Sequence, residues 1–190
     1  MSALGGSRPE RARLFAALEL PTGVCEALVS WRSMELPRNG GLRMIAPEHL
    51  HVTLCFLGWR PVDDVRGILD ACRTVSGQRA AELSLRDAVW LPRRRPRVLA
   101  VELEDPAGRL SVVQSELSEA LAAGGWYAPE KRPFLAHVTV ARVGGGSRLA
   151  PFELSPPPSL RFEGSRVTLY RSRLGGGGAR YEPLGTVELQ

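Results

Sequence analysis

The sequence is poor in histidine, cysteine and lysine, and each scarcity narrows the range of functions. It holds three histidines and three cysteines among 190 residues, and Lys131 is its only lysine. Cys25, Cys55 and Cys72 show no Cys-x-x-Cys spacing, so neither a disulfide framework nor a zinc site is predicted. We therefore expect the three thiols to serve as small buried apolar side chains.

Long apolar runs are also missing. No stretch approaches the roughly 20 apolar residues of a membrane-spanning helix, and the opening residues lack the apolar segment of a secretory signal. These absences predict a cytoplasmic protein with no membrane partner, and we expect a monomer. A hydrophobic content of 44% suits one domain. Residues 1–11 are predicted to be a flexible tail and residues 12–190 a single domain.

The positive charge is carried almost wholly by arginine. The formal net charge is +5 and the sequence pI is about 9.7, which favours anionic partners. Arginine contacts phosphate in a planar, bidentate manner. The densest run is Arg93-Arg94-Arg95-Pro96-Arg97. This run is either a solvated loop or a surface that contacts phosphate, because a run of charges alone does not identify a binding site.

A repeated tetrapeptide is the strongest functional signal. His51-Val52-Thr53-Leu54 and His137-Val138-Thr139-Val140 each place a histidine two residues before a threonine within β-prone residues. In a strand, residues i and i+2 project from one face, so each strand offers an imidazole beside a hydroxyl while its apolar residues face a core. Since imidazole titrates near neutral pH, a pair can supply one proton acceptor and one proton donor. The pattern predicts a catalytic site.

Strand and helix patterns in the rest of the chain favour an α+β fold, because several neighbouring strands read as hairpins rather than as parallel βαβ units. The spacing of Val24, Leu28 and Trp31 predicts one helix, and Asp105-Pro106 predicts the start of another. Gly58 is expected to end the first histidine strand. Strands are expected at about 13–20, 42–46, 51–58, 82–90, 97–103, 137–143, 160–171 and 180–189, with the glycines at 175–178 as a hairpin loop.

These motifs and their surroundings resemble the two-histidine (2H) phosphoesterases, specifically the RNA 2′,3′-cyclic phosphodiesterases historically called 2′-5′ RNA ligases. The resemblance also runs through Arg13-Leu14-Phe15-Ala16-Ala17-Leu18, Phe56-Leu57-Gly58, Arg95-Pro96-Arg97, Arg132-Pro133-Phe134 and Leu169-Tyr170-Arg171. It implies a bilobal fold of two pseudo-symmetric lobes, with antiparallel sheets lining a central groove and helices outside. It implies hydrolysis of cyclic phosphates at RNA ends, or of cyclic nucleotides, to 2′-phosphates, without metal or cofactor, together with reversible 2′-5′ ligation.

The resemblance also implies residue roles. His51 would be the general acid for the leaving oxygen and His137 the general base for water, while Thr53 and Thr139 would hydrogen-bond the phosphate oxygens. Arg142 would contact the phosphate. It lies five residues after His137 and should face away from it, so this contact requires a bulge or the end of the strand.

Four further positions lie in or near the motifs. His49 and Cys55 stand where the family often has asparagine and lysine, and strand parity places Cys55 on the face of His51 and Thr53. A turn residue is the expected role of His49. Phe56 and Phe134 are candidates to stack on a base or line the pocket, with core packing as the alternative.

Three rival functions remain open at the level of sequence. A metal hydrolase using His49, His51 and His137 lacks a carboxylate within either motif, where strong metal sites need three or four ligands. A non-catalytic RNA- or nucleotide-binding module would not require two titratable groups. A phosphodiesterase for another 2′-linked or cyclic nucleotide would keep the same chemistry on a different substrate.

Overall fold

The structure is a computed structural model that describes residues 9–37, 41–144, 149–175 and 178–190, apart from the side chain of Leu174. The predicted α+β fold is confirmed, since three helices accompany a nine-stranded antiparallel sheet. The helices are α1 Thr22–Glu35, α2 Val65–Cys72 and α3 Arg109–Ala123. The strands are β1 Arg11–Glu19, β2 Leu42–Met44, β3 His51–Pro61, β4 Ala81–Leu91, β5 Val98–Glu104, β6 His137–Val143, β7 Arg161–Gly164, β8 Arg166–Gly175 and β9 Gly178–Glu188. Residues 1–8 of the predicted tail lie outside the described residues, and Arg11 already belongs to β1.

The sheet consists of two related halves that meet at the histidine strands. Its order is β7-β4-β5-β6-β3-β1-β8-β9, with β2 paired to the far end of β6. The halves β9-β8-β1-β3 and β6-β5-β4-β7 have matching order on either side of the β3–β6 contact. The contact is a single pair, Val52 with Val138. A pseudo-twofold axis at this pair exchanges β3 with β6 and β1 with β5.

The core lies on the sheet face opposite the histidines. Val52, Leu54, Val138 and Val140 are all buried, as strand alternation predicts. α1 covers this face near β6, and its Val24, Leu28 and Trp31 are buried as their helical spacing predicts. α3 packs against β3 and α2 through buried Leu110, Val113, Leu117 and Leu121. Each of these helices follows a strand of one half and packs beneath the histidine strand of the other.

Three predicted boundaries are wrong. Gly58 does not end β3: it adopts a φ of +73° and the strand continues to Pro61, because a bulge there accommodates the turn of the backbone. α3 begins at Arg109 rather than at Pro106, although the Asp105 carboxylate still accepts a hydrogen bond from the Ser111 amide at 3.0 Å. The strand predicted at 160–171 is two strands that pair with different halves, β7 with β4 and β8 with β1.

Candidate active site

The two motif histidines are held in the same way. The Nδ1 of His51 lies 2.7 Å from the backbone carbonyl oxygen of His49, and the Nδ1 of His137 lies 2.8 Å from that of Leu135. Because a carbonyl only accepts, each Nδ1 carries a proton and donates it. In the neutral ring, Nε2 therefore keeps its lone pair, which is the state that a general base requires. Each partner precedes its histidine by two residues, so the bonds themselves follow the pseudo-twofold axis.

The strand register brings the two motifs together. Continuing the antiparallel register from Val52 and Val138 sets His51 opposite Thr139 and Thr53 opposite His137, on the face away from the core. Both histidines and both threonines are partly accessible. Thr53 lies beside its own histidine as well, with its Oγ1 3.1 Å from Nε2 of His51. Two imidazoles and two hydroxyls thus share one small surface.

Each histidine strand carries a one-residue bulge at the same place. Ala16 and Ala17 of β1 pair with Cys55 and Thr53, leaving Leu54 without a partner. In the other half, Leu99 and Ala100 of β5 pair with Ala141 and Thr139, leaving Val140 without a partner. Leu54 and Val140 occupy equivalent positions in the two motifs, so the bulge is a shared feature of the two half-sites.

The bulges reverse the alternation of side chains. Leu54 and Cys55 are both buried and Phe56 is 46% exposed, while Val140 and Ala141 are both buried and Arg142 is exposed. The bulge that Arg142 requires is therefore present, and its charge lies close enough to lower the pKa of His51. The predicted facing of Cys55 is wrong. Cys55 lies in the core, burial raises its pKa to about 12, and Phe56 takes the groove-facing position.

Side chains from the crossing helices hold the carbonyl groups of both bulge residues. Arg32 of α1, itself buried, donates from Nη1 to the Val140 carbonyl at 2.9 Å, and the Ile45 amide donates to the same oxygen at 3.0 Å. Gln114 of α3 donates from Nε2 to the Leu54 carbonyl at 3.4 Å. These contacts satisfy carbonyls that the disrupted ladder does not pair.

Aromatic rings surround His51. The ring of Phe15 lies 5.0 Å from the imidazole between centroids, and those of Tyr181 and Tyr170 lie at 5.4 and 6.5 Å. The hydroxyl of Tyr170 donates a hydrogen bond to the Glu19 carboxylate at 3.1 Å, which fixes the position of this ring. The enclosure removes water from the imidazole, and this burial is the main reason that the pKa of His51 is lowered to about 4. The hydrogen bond to the His49 carbonyl opposes the shift, and the charges of Arg142, His49 and His137 contribute to it. Phe15, Tyr170 and Tyr181 come from three distant segments. Phe15 and Tyr170 lie in segments that carry the family resemblance, but the sequence did not assign a site role to any of the three.

The remaining predicted positions lie at or beyond the edge of this site. His49 forms part of a 3₁₀ turn, as expected, and its ring packs 4.5 Å from that of Tyr181. Phe134 is half-buried and packs against the core. Arg93, Arg94, Arg95 and Arg97 are exposed in the loop between β4 and β5.

Neither a metal centre nor a reactive thiol is assembled here. Within the part of the chain that the structure describes, no three histidine, cysteine, aspartate or glutamate side chains are grouped closely enough to hold a metal ion. Cys55 and Cys72 are buried and Cys25 is partly buried, and burial raises the pKa of each thiol. The buried thiols are inert at neutral pH because the nucleophile is the thiolate.

Comparisons with known proteins agree in sequence and in structure. The family model described as LigT like phosphoesterase matches residues 18–100. A protein of Escherichia coli strain K12 named RNA 2′,3′-cyclic phosphodiesterase is 30% identical over 92% of this chain and 95% of its own length. One of the same name from Thermus thermophilus is 32% identical over 90% and 87%. The crystal structure of apo E. coli LigT superimposes with a TM-score of 0.82 at 28% identity, covering 95% of this chain and 99% of that one.

Proposed function

Because the chain belongs to the LigT-like phosphoesterase family, we propose that it is a phosphoric diester hydrolase that opens 2′,3′-cyclic phosphates at RNA ends to 2′-phosphates. The observation that supports this most directly is the pair of imidazoles on β3 and β6, each with its Nδ1 bonded to a backbone carbonyl, which leaves Nε2 to take or give a proton. Relatives named RNA 2′,3′-cyclic phosphodiesterase supply the substrate class.

The reaction needs four contributions that these residues supply. Water attacks phosphorus and gives a proton to one imidazole, the bond from phosphorus to the 3′ oxygen breaks, and the second imidazole gives a proton to that oxygen. Thr53 and Thr139 donate to the non-bridging oxygens, where charge accumulates in the transition state. Arg142 adds a guanidinium to the same phosphate. The product is a 2′-phosphate beside a free 3′ hydroxyl.

The two imidazoles have distinct roles. His137 takes the proton of water and His51 protonates the 3′ oxygen, as the family resemblance implies. In the free protein the pKa of His51 is lowered to about 4, so at neutral pH this ring is neutral. A bound phosphodiester places a negative charge beside the ring and offsets the repulsion by Arg142, which raises the pKa of His51. His51 thus becomes a proton donor only when substrate is bound.

The test is turnover of 2′,3′-cyclic nucleotides and of an oligonucleotide with a cyclic phosphate end, with identification of the phosphate isomer formed. We expect 2′-phosphate. Formation of 3′-phosphate would mean that the other bond breaks, and absence of turnover with full binding would favour the non-catalytic nucleotide-binding module. Turnover of another 2′-linked nucleotide alone would change the proposed substrate class and retain the proposed reaction.

One finding bears on the surroundings of the protein. Among the described residues, none of the helices combines the length and the apolar character that crossing a bilayer requires.

A further inference from the structure

A basic cavity opens beside the aromatic enclosure of His51. It measures about 870 Å³, a size typical of sites for nucleotide-sized ligands. Its wall contains Arg13, Arg43, Arg142 and Arg180, and we call it the arginine cavity. The cavity adjoins the histidines, because Tyr181 lies in its wall and its ring is 5.4 Å from that of His51.

The arginine cavity carries excess positive charge. Glu48 is the one carboxylate in its wall, and none of its four arginines forms an ion pair with any of the described residues. Neighbouring arginines on β8 differ in this respect. Arg173 pairs with Glu182, and Arg171 pairs with Glu10, both at 2.9 Å. Converging cations without counter-charges repel one another, so this surface is complementary to an anionic ligand.

Two of the four arginines are not required to bind a single cyclic phosphate. Arg142 serves that phosphate, and Arg13 stacks 4.6 Å over the ring of Phe56 and donates to the Ser172 hydroxyl at 3.2 Å. Arg43 and Arg180 remain, one on β2 and one on β9. The 2′,3′-cyclic phosphate carries one negative charge, which the imidazoles, hydroxyls and Arg142 already match.

The position of Arg43 is built into the fold. It pairs with Arg142 across β2 and β6, so both side chains project from the same face of the sheet. It also lies against Gly178, which has a φ of +114°, and a Cβ atom at Gly178 would lie 3.1 Å from Nη1 of Arg43. Only glycine adopts this conformation readily and leaves that space. The guanidinium thus reaches across from β2 to the start of β9.

We propose that Arg43 and Arg180 bind the phosphodiester on the 5′ side of the terminal nucleotide, so that the protein prefers a cyclic-phosphate-ended RNA strand to a cyclic mononucleotide. This inference rests on the proposed function and names the residues that hold the RNA strand next to the cyclic end. It places the RNA path along β2 and β9 rather than along the exposed run at Arg93–Arg97, which contributes no residue to the cavity wall.

The experiment compares two substrates that differ only in the neighbouring phosphate: a 2′,3′-cyclic mononucleotide without a 5′ phosphate, and a short oligonucleotide ending in the same cyclic nucleotide. For Arg43→Ala and for Arg180→Ala, the ratio of kcat/KM on the oligonucleotide to that on the mononucleotide should fall about tenfold, the scale of one lost charged hydrogen bond. Arg43→Lys should give an intermediate ratio, because it keeps the charge and loses the bidentate contact.

Two controls separate this path from a general effect of charge. Arg86→Ala removes an exposed, ion-paired arginine of β4, a strand that contributes no residue to the cavity wall, and the ratio should stay unchanged. The triple variant of Arg93, Arg94 and Arg95 to alanine tests the other path. A fall of the ratio in the triple variant and not at Arg43 or Arg180, or an equal fall in Arg86→Ala, would overturn the proposal.

Binding of a non-cyclic 2′-phosphate-ended oligonucleotide keeps the two proposals distinguishable. The wild-type affinity should fall with salt, and each of the two alanine variants should reduce the slope of log affinity against log salt by about 0.7. Unchanged slopes would overturn the arginine path even where catalysis is intact. If the wild type shows no turnover but the slope of log affinity against log salt falls in both variants, the proposed function is overturned and the proposed binding site stands.

Discussion

At the scale of the residue, the two half-sites share hydrogen bonds and differ in surroundings. His51 and His137 donate through Nδ1 to equivalent carbonyls. Phe15, Tyr170 and Tyr181 enclose His51, whereas no aromatic ring of the described residues lies against His137. Acid–base catalysis needs two imidazoles in opposite protonation states. Burial keeps His51 neutral in the free protein, so its role as the acid depends on the negative charge of the bound phosphodiester, which favours the protonated ring.

His51→Ala and His137→Ala should each lower kcat on a 2′,3′-cyclic phosphate by about 10²–10⁴, the scale of a lost proton-transfer group. His49→Ala is the matched comparison and should cost less than about tenfold, since His49 holds His51 through a backbone carbonyl that alanine retains. A diester with a p-nitrophenolate leaving group needs no proton donor, so it should restore much of the rate to the His51 variant and little to the His137 variant. The reverse pattern would exchange the two roles.

Burial of His51 predicts a loss of stability in acid. The pKa of this ring is about 4 in the folded protein and about 6.5 in an unfolded chain, so between these values the unfolded chain binds the proton more readily. The free energy of unfolding should therefore decrease as pH falls from about 6.5 to about 4, by at most about 3 kcal/mol from this group. Urea titrations of wild type and His51→Asn should diverge in this window, with the variant losing less. A matched His137→Asn variant controls for the removal of a histidine, and parallel curves for wild type and His51→Asn would contradict the assignment.

At the scale of the element, the bulges at Leu54 and Val140 decide which side chains reach the groove. A regular β6 would turn Arg142 toward the core, and a regular β3 would present Cys55 in place of Phe56. Each bulge is supported by a side chain from the helix that crosses from the other half, Gln114 for Leu54 and Arg32 for Val140. Helix packing is thus coupled to the orientation of groove-facing residues.

Arg32→Met should disturb catalysis through Arg142, because methionine keeps much of the apolar length and loses the donor to the Val140 carbonyl. We expect a drop in kcat/KM of about tenfold, comparable to the loss of one charged hydrogen bond. The informative measurement is a double-mutant cycle with Arg142→Ala, in which the effect of Arg32→Met should largely vanish. Additive effects in the cycle, with folding checked by circular dichroism, would mean that Arg32 supports stability alone.

At the scale of the whole molecule, the pseudo-twofold axis through Val52 and Val138 explains why motifs 86 residues apart in sequence form one site. The same axis relates the two carbonyl partners of the histidines, the two bulges and the two crossing helices. The repeat is incomplete where β2, β8 and β9 contribute, because these strands supply Arg43, Gly175 and Arg180 to the arginine cavity. In the proposed reaction the symmetric frame would hold the reacting phosphate, while the asymmetric additions enclose His51 and carry the excess charge.

Catalysis should be insensitive to chelators. The described residues bring no three metal-binding side chains together, and in the proposed mechanism the two imidazoles perform both proton transfers. Wild-type turnover of a cyclic phosphate should be the same within about twofold in EDTA and in buffer with added zinc or magnesium. Loss of activity in EDTA that zinc restores would revive the metal-hydrolase alternative.

The sequence by itself determined the motifs, the α+β class and the buried faces of the strands and helices, because these depend on local periodicity and on residue chemistry. It also indicated that Arg142 needs a bulge to contact the phosphate, since regular strand alternation would turn its side chain away from His137. Only the tertiary structure decided where the bulges lie, that Cys55 turns inward, and that Arg43 joins Arg180 and Arg142 in one cavity. Those outcomes depend on cross-strand register and on helices that cross between halves, and such long-range pairings leave no local periodicity in the chain.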